Sequence, residues 1–379
     1  MRVRRITAWE FRRVFDPPVW NPATVWRERR APLVTVATDD GRIGVGEAWC
    51  RQDEIVRSLA ALETAAHALL GRNVEEIDLP LPSGEIDWPE AGAASALDIA
   101  LWDIRARAAG LPLARLLNPA ADTVAVYASG GLYGPGKGLD ALAAEMAGYV
   151  AGGFAMAKMK IGGLAVAADL ERVDAARAAM GDAGLIVDGV GSYDPETAAA
   201  LARRLAERGV VAFQAPLADA SPEALAALAR RSPIPLVLGE GEWDHGRLAR
   251  LVAAGAAGWL QANPGLAGGI TGMKRLATLA RDHGIPLSPQ CHATAVLQAA
   301  SIHLGVLDGV GPVELHRVHD HLHELMPEAL RRPMGGSVAI PPAPGLGIAF
   351  PPASRDGNPD QAPDAGRGHI APVAAWDAA

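Results

Sequence analysis

From residue 123 onward the chain alternates short apolar runs with Ala-, Leu- and Arg-rich stretches, and few folds accommodate that pattern. The runs are Val124–Ala128, Ala155–Lys160, Leu185–Gly189, Val210–Gln214, Pro235–Gly239, Gly258–Ala262, Ile285–Pro289 and Pro312–Leu315. Strands covered on both faces read as continuous apolar segments, and helices of 10 or more residues fit between them. Asp194-Pro195-Glu196, an N-cap with Pro at the first helical position, opens one such helix, and Gly269–His283 is another. Eight strands alternating with helices predict a parallel α/β barrel rather than an open sheet. Chemistry then belongs at the C-terminal ends of the strands, so the residue closing each run carries the information.

The first third reads differently. Pro32–Thr38 alternates, Asp39-Asp40-Gly41 follows, and Ile43–Glu47 resumes the strand, which predicts a hairpin. Helical periods run from about Asp53 to Leu70 and from Ala91 to Ala109, the second stopped by Gly110 and Pro112. The expected organisation is a cap over residues 1–122, a barrel over 123–315, a return to the cap over 316–350 and an irregular tail over 351–379. Lys and Arg number 35 against 43 Asp and Glu, a net charge of −8, which argues against nucleic acid or an anionic membrane as partner. Cys50 and Cys291 stand alone and in no metal-ligand spacing. With neither a signal peptide nor a membrane-length apolar run, a soluble cytoplasmic protein is expected.

The second barrel strand closes on Lys158-Met159-Lys160, and strand alternation turns both lysines the same way. Two neighbouring ammonium groups would lower each other's pKa, freeing one as a base and leaving the other for an anionic substrate. The plain alternative is two surface lysines on a loop. Asp188, Gln214 and Glu240 close the next three strands at equal spacings of 26 residues. Three carboxylates there would make a ring for Mg²⁺, but the middle one is an amide. Asp188 and Glu240 read equally well as helix caps or partners of the lysines. Amides close the sixth and seventh strands too, as Asn263 and Gln290, with His292 just beyond. His316, His319, His321 and His323 follow the last strand; on a helix, 316, 319 and 323 would share a solvated face. Trp20 and Trp26 lie in the cap, where they suit either an aromatic-tolerant pocket or packing.

These closing residues, with Gly44-Val45-Gly46-Glu47-Ala48, Ala96–Asp103, Phe213-Gln214-Ala215-Pro216, Gly239-Glu240, Gly268-Gly269-Ile270-Thr271 and Pro344-Gly345-Leu346-Gly347, resemble the mandelate racemase and muconate lactonizing branch of the enolase superfamily. The resemblance spans the chain to about residue 350. It implies a modified (β/α)7β TIM-like barrel under an α+β capping domain, and association into a homo-oligomer. It further implies abstraction of the α-proton of a small carboxylate, with Lys160 as base, Lys158 on the carboxylate side and Mg²⁺ at Asp188, Gln214 and Glu240. No organic cofactor is implied.

Departures from the family pattern shape the expectation. Gln214 stands where a metal-binding Glu is usual, Val190 where an Asn is usual, and Asn263 and Gln290 where an Asp–His dyad is usual. Gln290 has no basic form, so the second base of two-base racemisation is missing. The resulting expectation is a one-base lyase (dehydratase) or isomerase with weak or absent Mg²⁺ dependence. Asn263, Gln290, His292, Glu314 and Trp20 are the expected substrate-binding residues. The alternatives are a carboxylate-binding homologue without catalysis, or unorthodox metal-independent chemistry with His292 or Glu314 as proton donor.

Overall fold

The structure, a computed structural model, describes residues 1–51, 54–350 and 368–378. The cap is built from β1 (Val3–Trp20), β2 (Val25–Thr38) and β3 (Ile43–Glu47), then α1 (Ile55–His67), α2 (Trp88–Ala108) and the short α3 (Leu113–Leu117). β1, β2 and β3 form an antiparallel meander whose inner face packs on α1 and α2. The hairpin turns at Gly41, with φ of 85°. Gly44 and Gly46 let α2 lie directly on β3, because a Cβ at either would strike the carbonyl oxygen of Ala100 or Ala96.

The barrel runs β4 (Thr123–Ser129), α4 (Leu139–Ala151), β5 (Met156–Lys160), α5 (Val166–Met180), β6 (Gly184–Asp188), α6 (Pro195–Ala206), β7 (Val210–Gln214) and α7 (Pro222–Ala229). It continues through β8 (Leu236–Leu238), α8 (His245–Ala253), β9 (Trp259–Ala262), α9 (Gly269–Asp282), β10 (Leu287–Pro289), α10 (Ala295–Leu304) and β11 (Val313–His316). Each strand pairs in parallel with its predecessor from β4 to β10, and β11 pairs with β4. A bridge between Leu287 and Val310 brings the ends of this path together. Eight strands and seven helices make the expected (β/α)7β arrangement. All eight runs read from the sequence are strands, with ends shifted by at most two residues.

The chain then returns to the cap. β12 (Ser337–Ala339) pairs with β4, and Gly345 and Leu346 dock on α2 through Asp103, whose carboxylate accepts from Leu346 N at 2.7 Å and Val45 N at 3.1 Å. The tail departs from the irregular form expected of it. β13 (His369–Asp377) adds to the cap sheet, antiparallel to β1, with Arg5 opposite Asp377. Its small apolar residues carry little strand signal alone and are recruited by the open edge of β1. Residues 351–367 of that tail, and Asp53 at the start of the first helical period, lie outside the described residues.

Cap and barrel are joined by buried carboxylates at barrel-helix starts. Glu47, from the end of β3, accepts from Thr294 N (2.8 Å), Thr294 Oγ1 (2.7 Å) and Leu297 N (3.0 Å) at the N-terminus of α10. Asp98 of α2 does the same for Thr271 of α9. An anion at a helix N-terminus satisfies otherwise orphaned N–H groups and the dipole together. Two acidic residues of the family-like motifs therefore orient the cap over the barrel mouth.

Candidate active site

Alternation along β5 decides which side chains enter the barrel. Met156 packs on the interior floor with Tyr127, Ile186, Ala212 and Val237, while Ala157 and Met159 face the helices. Lys158 and Lys160 therefore rise above that floor on the inner side, and the same rule turns Asp188 and Gln214 inward above Ile186 and Ala212.

The two lysines have separate surroundings. Lys158 is almost fully buried, pairs with Glu314 Oε1 at 2.8 Å, donates to Gln214 Oε1 at 2.9 Å, and lies 3.8 Å from Asp188 Oδ2. Burial alone would lower its pKa, but Glu314, Asp188 and Glu240 together outweigh burial and hold it above the ordinary lysine value. The expected mutual depression of the lysines is thus overturned at Lys158, whose ammonium is paired within the protein. Lys160 Nζ donates to Asp188 Oδ2 at 2.5 Å and reaches the wall of a cavity of ≈ 30 Å³. Glu240, Gln290 and Glu314 line the same cavity, and Trp26 of the cap closes it from above.

Asp188, Gln214 and Glu240 do meet, as their equal spacing suggested. Each oxygen of the trio with a partner here takes a hydrogen from nitrogen. Asp188 Oδ2 accepts from Lys160 and Oδ1 from Val190 N (3.0 Å). Gln214 Oε1 accepts from Lys158, while its Nε2 donates to Glu240 Oε2. Glu240 Oε1 accepts from Gln290 Nε2 at 3.2 Å. The orientation of the Gln214 amide is forced, because a lysine only donates and a carboxylate only accepts. A Glu at 214 would face Glu240 charge to charge and need a cation between them; Gln214 closes that gap with an N–H. Mg²⁺ is held by one or two carboxylates beside its own waters, and here the oxygens of both carboxylates are turned to nitrogen donors instead. Burial, opposed by Lys160 and Lys158, pushes the Glu240 carboxyl above its usual value. Val190, holding Asp188, sits at φ of 50°, a strained conformation for a β-branched residue and one that Asn tolerates better.

The remaining expected residues divide. Gln290, His292 and Glu314 line the cavity. Asn263 is buried behind Gln290, donating to its Oε1 at 2.5 Å and accepting from Gly265 N at 2.8 Å, so its role is to orient Gln290. Trp20 does not line the cavity; it stacks on Tyr133 with ring centroids 4.2 Å apart.

The histidines following β11 are not a solvated helix face. His316 ends the strand, Leu322 adopts φ of 57°, and all four rings are buried. His292, His316 and His319 each place a ring nitrogen within 4.8 Å of the other two, and Nε2 of both His292 and His319 is buried without a partner. Burial, followed by the neighbouring imidazoles and cations, pushes His292, His316, His319 and His321 well below the usual histidine value, so all four are neutral near pH 7. Sequence reasoning missed Arg29 of β2, which is buried and donates to Cys50 O (2.8 Å) and His292 O (3.0 Å), fixing the loop before α10. No local signal marks Arg29, because its partners come from two distant segments. Tyr127 was missed too, although its inward position on β4 was readable; its hydroxyl accepts from Gln261 Nε2 at 2.8 Å.

Comparisons with known proteins match both the cap and the barrel. Residues 7–118 match the mandelate racemase / muconate lactonizing enzyme N-terminal domain, and residues 141–354 the enolase C-terminal domain-like family. D-galactarolactone cycloisomerase of Agrobacterium fabrum is 32% identical over 88% of this chain and 92% of its own length. L-talarate/galactarate dehydratase of Salmonella typhimurium is 31% identical over 71% of each chain. Among solved structures, a mandelate racemase/muconate lactonizing enzyme-like protein from Rubrobacter xylanophilus superposes with a TM-score of 0.80 at 30% identity, covering 92% of this chain and 97% of that one. L-talarate dehydratase from Polaromonas sp. JS666, complexed with Mg and L-glucarate, gives a TM-score of 0.80 at 26% identity over 92% and 95%.

Proposed function

Because the chain belongs to the mandelate racemase and muconate lactonizing branch of the enolase superfamily, we propose that it is a lyase or isomerase removing the α-proton of a small hydroxycarboxylate, with Lys160 as base. The observation that carries this is the split between the lysines. Lys158 is locked to Glu314 and Gln214, whereas Lys160 alone of the pair reaches the cavity at the barrel mouth. When Lys160 takes the proton, the ammonium formed has Asp188 at 2.5 Å to hold it. Gln290, on the same cavity, donates and accepts but has no basic form, so of these two only Lys160 can take a proton. Relatives acting on sugar acids, as dehydratases and cycloisomerases, support a polyhydroxy acid as substrate and loss of a β-leaving group or ring closure as outcome.

The donor pattern around Asp188, Gln214 and Glu240 supports weak or absent dependence on Mg²⁺. A binding protein without turnover is the second reading, favoured by the Lys160–Asp188 hydrogen bond, which a base must give up before it can act. The test is incubation with sugar acids in D₂O, with and without Mg²⁺. Wash-in of deuterium at the α-carbon supports the enzyme. Saturable binding without wash-in assigns the binding protein.

A further inference from the structure

The direction of hydrogen bonding through the buried histidines determines what they can hold. His316 Nδ1 accepts from two backbone N–H groups, His319 N at 3.1 Å and Val318 N at 3.3 Å. Its neutral ring therefore carries its proton on Nε2, and this ring lines the cavity beside Lys160. Arg13 Nη1 lies 3.2 Å from His321 Nδ1, and a guanidinium only donates, so His321 Nδ1 accepts and its proton is on Nε2. That proton points at His319 Nδ1, 3.3 Å away, which must accept. His319 thus also carries its proton on Nε2, the atom left buried without a partner.

A metal ligand has the opposite arrangement. A neutral histidine binding metal through Nε2 keeps its proton on Nδ1 and donates it to a carboxylate or carbonyl. Here the atoms behind His316 are backbone donors, and the chain behind His319 ends on an arginine. Geometry alone would suggest a three-histidine metal centre; the partners behind the rings make two of the three hydrogen-bond donors. The carboxylates on the same wall are already matched, Glu314 by Lys158 and Cys291 N, and Glu240 by Gln214 and Gln290.

We propose that His316, beside Lys160 on the cavity wall, presents a fixed N–H donor as the receptor for one carboxylate group of the substrate, with the His319 ring packed against it at 4.7 Å between centroids. It rests on the reading above, in which a carboxylate substrate enters this cavity, and adds where its charged end is held: on the imidazole N–H of His316, since Lys158 is internally paired. Neutral imidazole donors aimed at a carboxylate or its enediolate stabilise negative charge without a metal.

The test uses the full-length protein and two probes, oxalate and Co²⁺, each alone. In ¹⁵N-detected imidazole spectra of the free protein, His316 and His319 are expected as Nε2–H tautomers, and oxalate is expected to shift His316. His316→Leu, which removes the donor, should weaken oxalate binding by roughly 10- to 100-fold, the range for a hydrogen bond to a charged group. His316→Gln, which keeps an N–H near the same place, should stay within about fivefold of wild type. Nδ1–H tautomers, stoichiometric Co²⁺ binding with a tetrahedral visible spectrum, or equal oxalate affinity in wild type and His316→Leu would each overturn the receptor. Should His316→Leu unfold, the tautomers and the oxalate shifts in wild type decide alone. Oxalate binding that needs the His316 donor, without α-proton exchange, keeps the receptor and removes the enzyme reading; exchange with unaltered oxalate binding in His316→Leu does the reverse.

Discussion

Lys158 and Glu314, from opposite ends of the barrel sequence, meet at 2.8 Å with both side chains almost entirely withdrawn from solvent. Removing either partner leaves the other as an unpaired buried charge, which costs about 3–5 kcal/mol. Lys158→Met and Glu314→Gln should each lower stability by that order, and the double variant by less than the sum. Denaturant titration of the four proteins checks this; additive losses would show that the pair is not coupled.

Gln214 supplies the N–H that a metal-binding site would replace with a cation. Gln214→Glu should destabilise the metal-free protein, because two carboxylates then face each other at 214 and 240. The same variant should bind Mg²⁺ at least about tenfold more tightly than wild type, whose affinity is expected at millimolar or weaker. Calorimetry with Mg²⁺ measures both, and tight binding to wild type would contradict the account of the amide.

Lys160 and Gln290 face the cavity from different strands, and only Lys160 has a basic form. Exchange of the α-hydrogen should be confined to one enantiomer of a substrate. Lys160→Ala should reduce it by about 10²- to 10⁴-fold, the usual contribution of a general base. Gln290→Ala should leave exchange largely intact and weaken binding. Similar exchange rates for both enantiomers would place a second base in the cavity.

His303 of α10 accepts from Ala114 N at 3.1 Å, faces Leu346 O at 3.2 Å, and is pushed down to about 4 by burial. Its pKa is lowered by folding, so its contribution is complete above the ordinary 6.5 and is lost as pH falls from there to about 4. The loss amounts to ~3 kcal/mol. Across that window the Tm of His303→Gln should fall less steeply than that of wild type, whatever other groups titrate in both. Parallel Tm–pH curves would remove His303 as a cause.

The barrel was legible because strands buried on both faces leave continuous apolar runs, and polar closers such as Asp188 and Gln214 stand out against them. β1 was not read, since its Arg and Glu residues interrupt the alternation and its order comes from pairing with β2 on one side and β13 on the other. Within the site, the positions of Lys158 and Lys160 followed from period two, but their difference did not. It depends on Glu314, which a reading of β5 alone cannot place. The histidines failed for a specific reason: a helical period was applied to a segment that ends β11 at His316, bends through 317–319, bridges to Thr294 at His321 and turns at Leu322 in the left-handed region. Their burial follows from Trp26, Phe15 and Phe11 of the cap packing over them.

The seating of β13 against β1 sets a timetable for biosynthesis. Asp377, the partner of Arg5, leaves the ribosome some 370 residues after it. At 5–20 residues per second the outer edge of β1 waits roughly 20 to 70 s for its last neighbour. Throughout that interval a long strand with unpaired N–H and C=O groups is exposed to other nascent chains. The arginines scattered along it, Arg4, Arg5, Arg12 and Arg13, are placed to keep that edge charged until the chain can cover it.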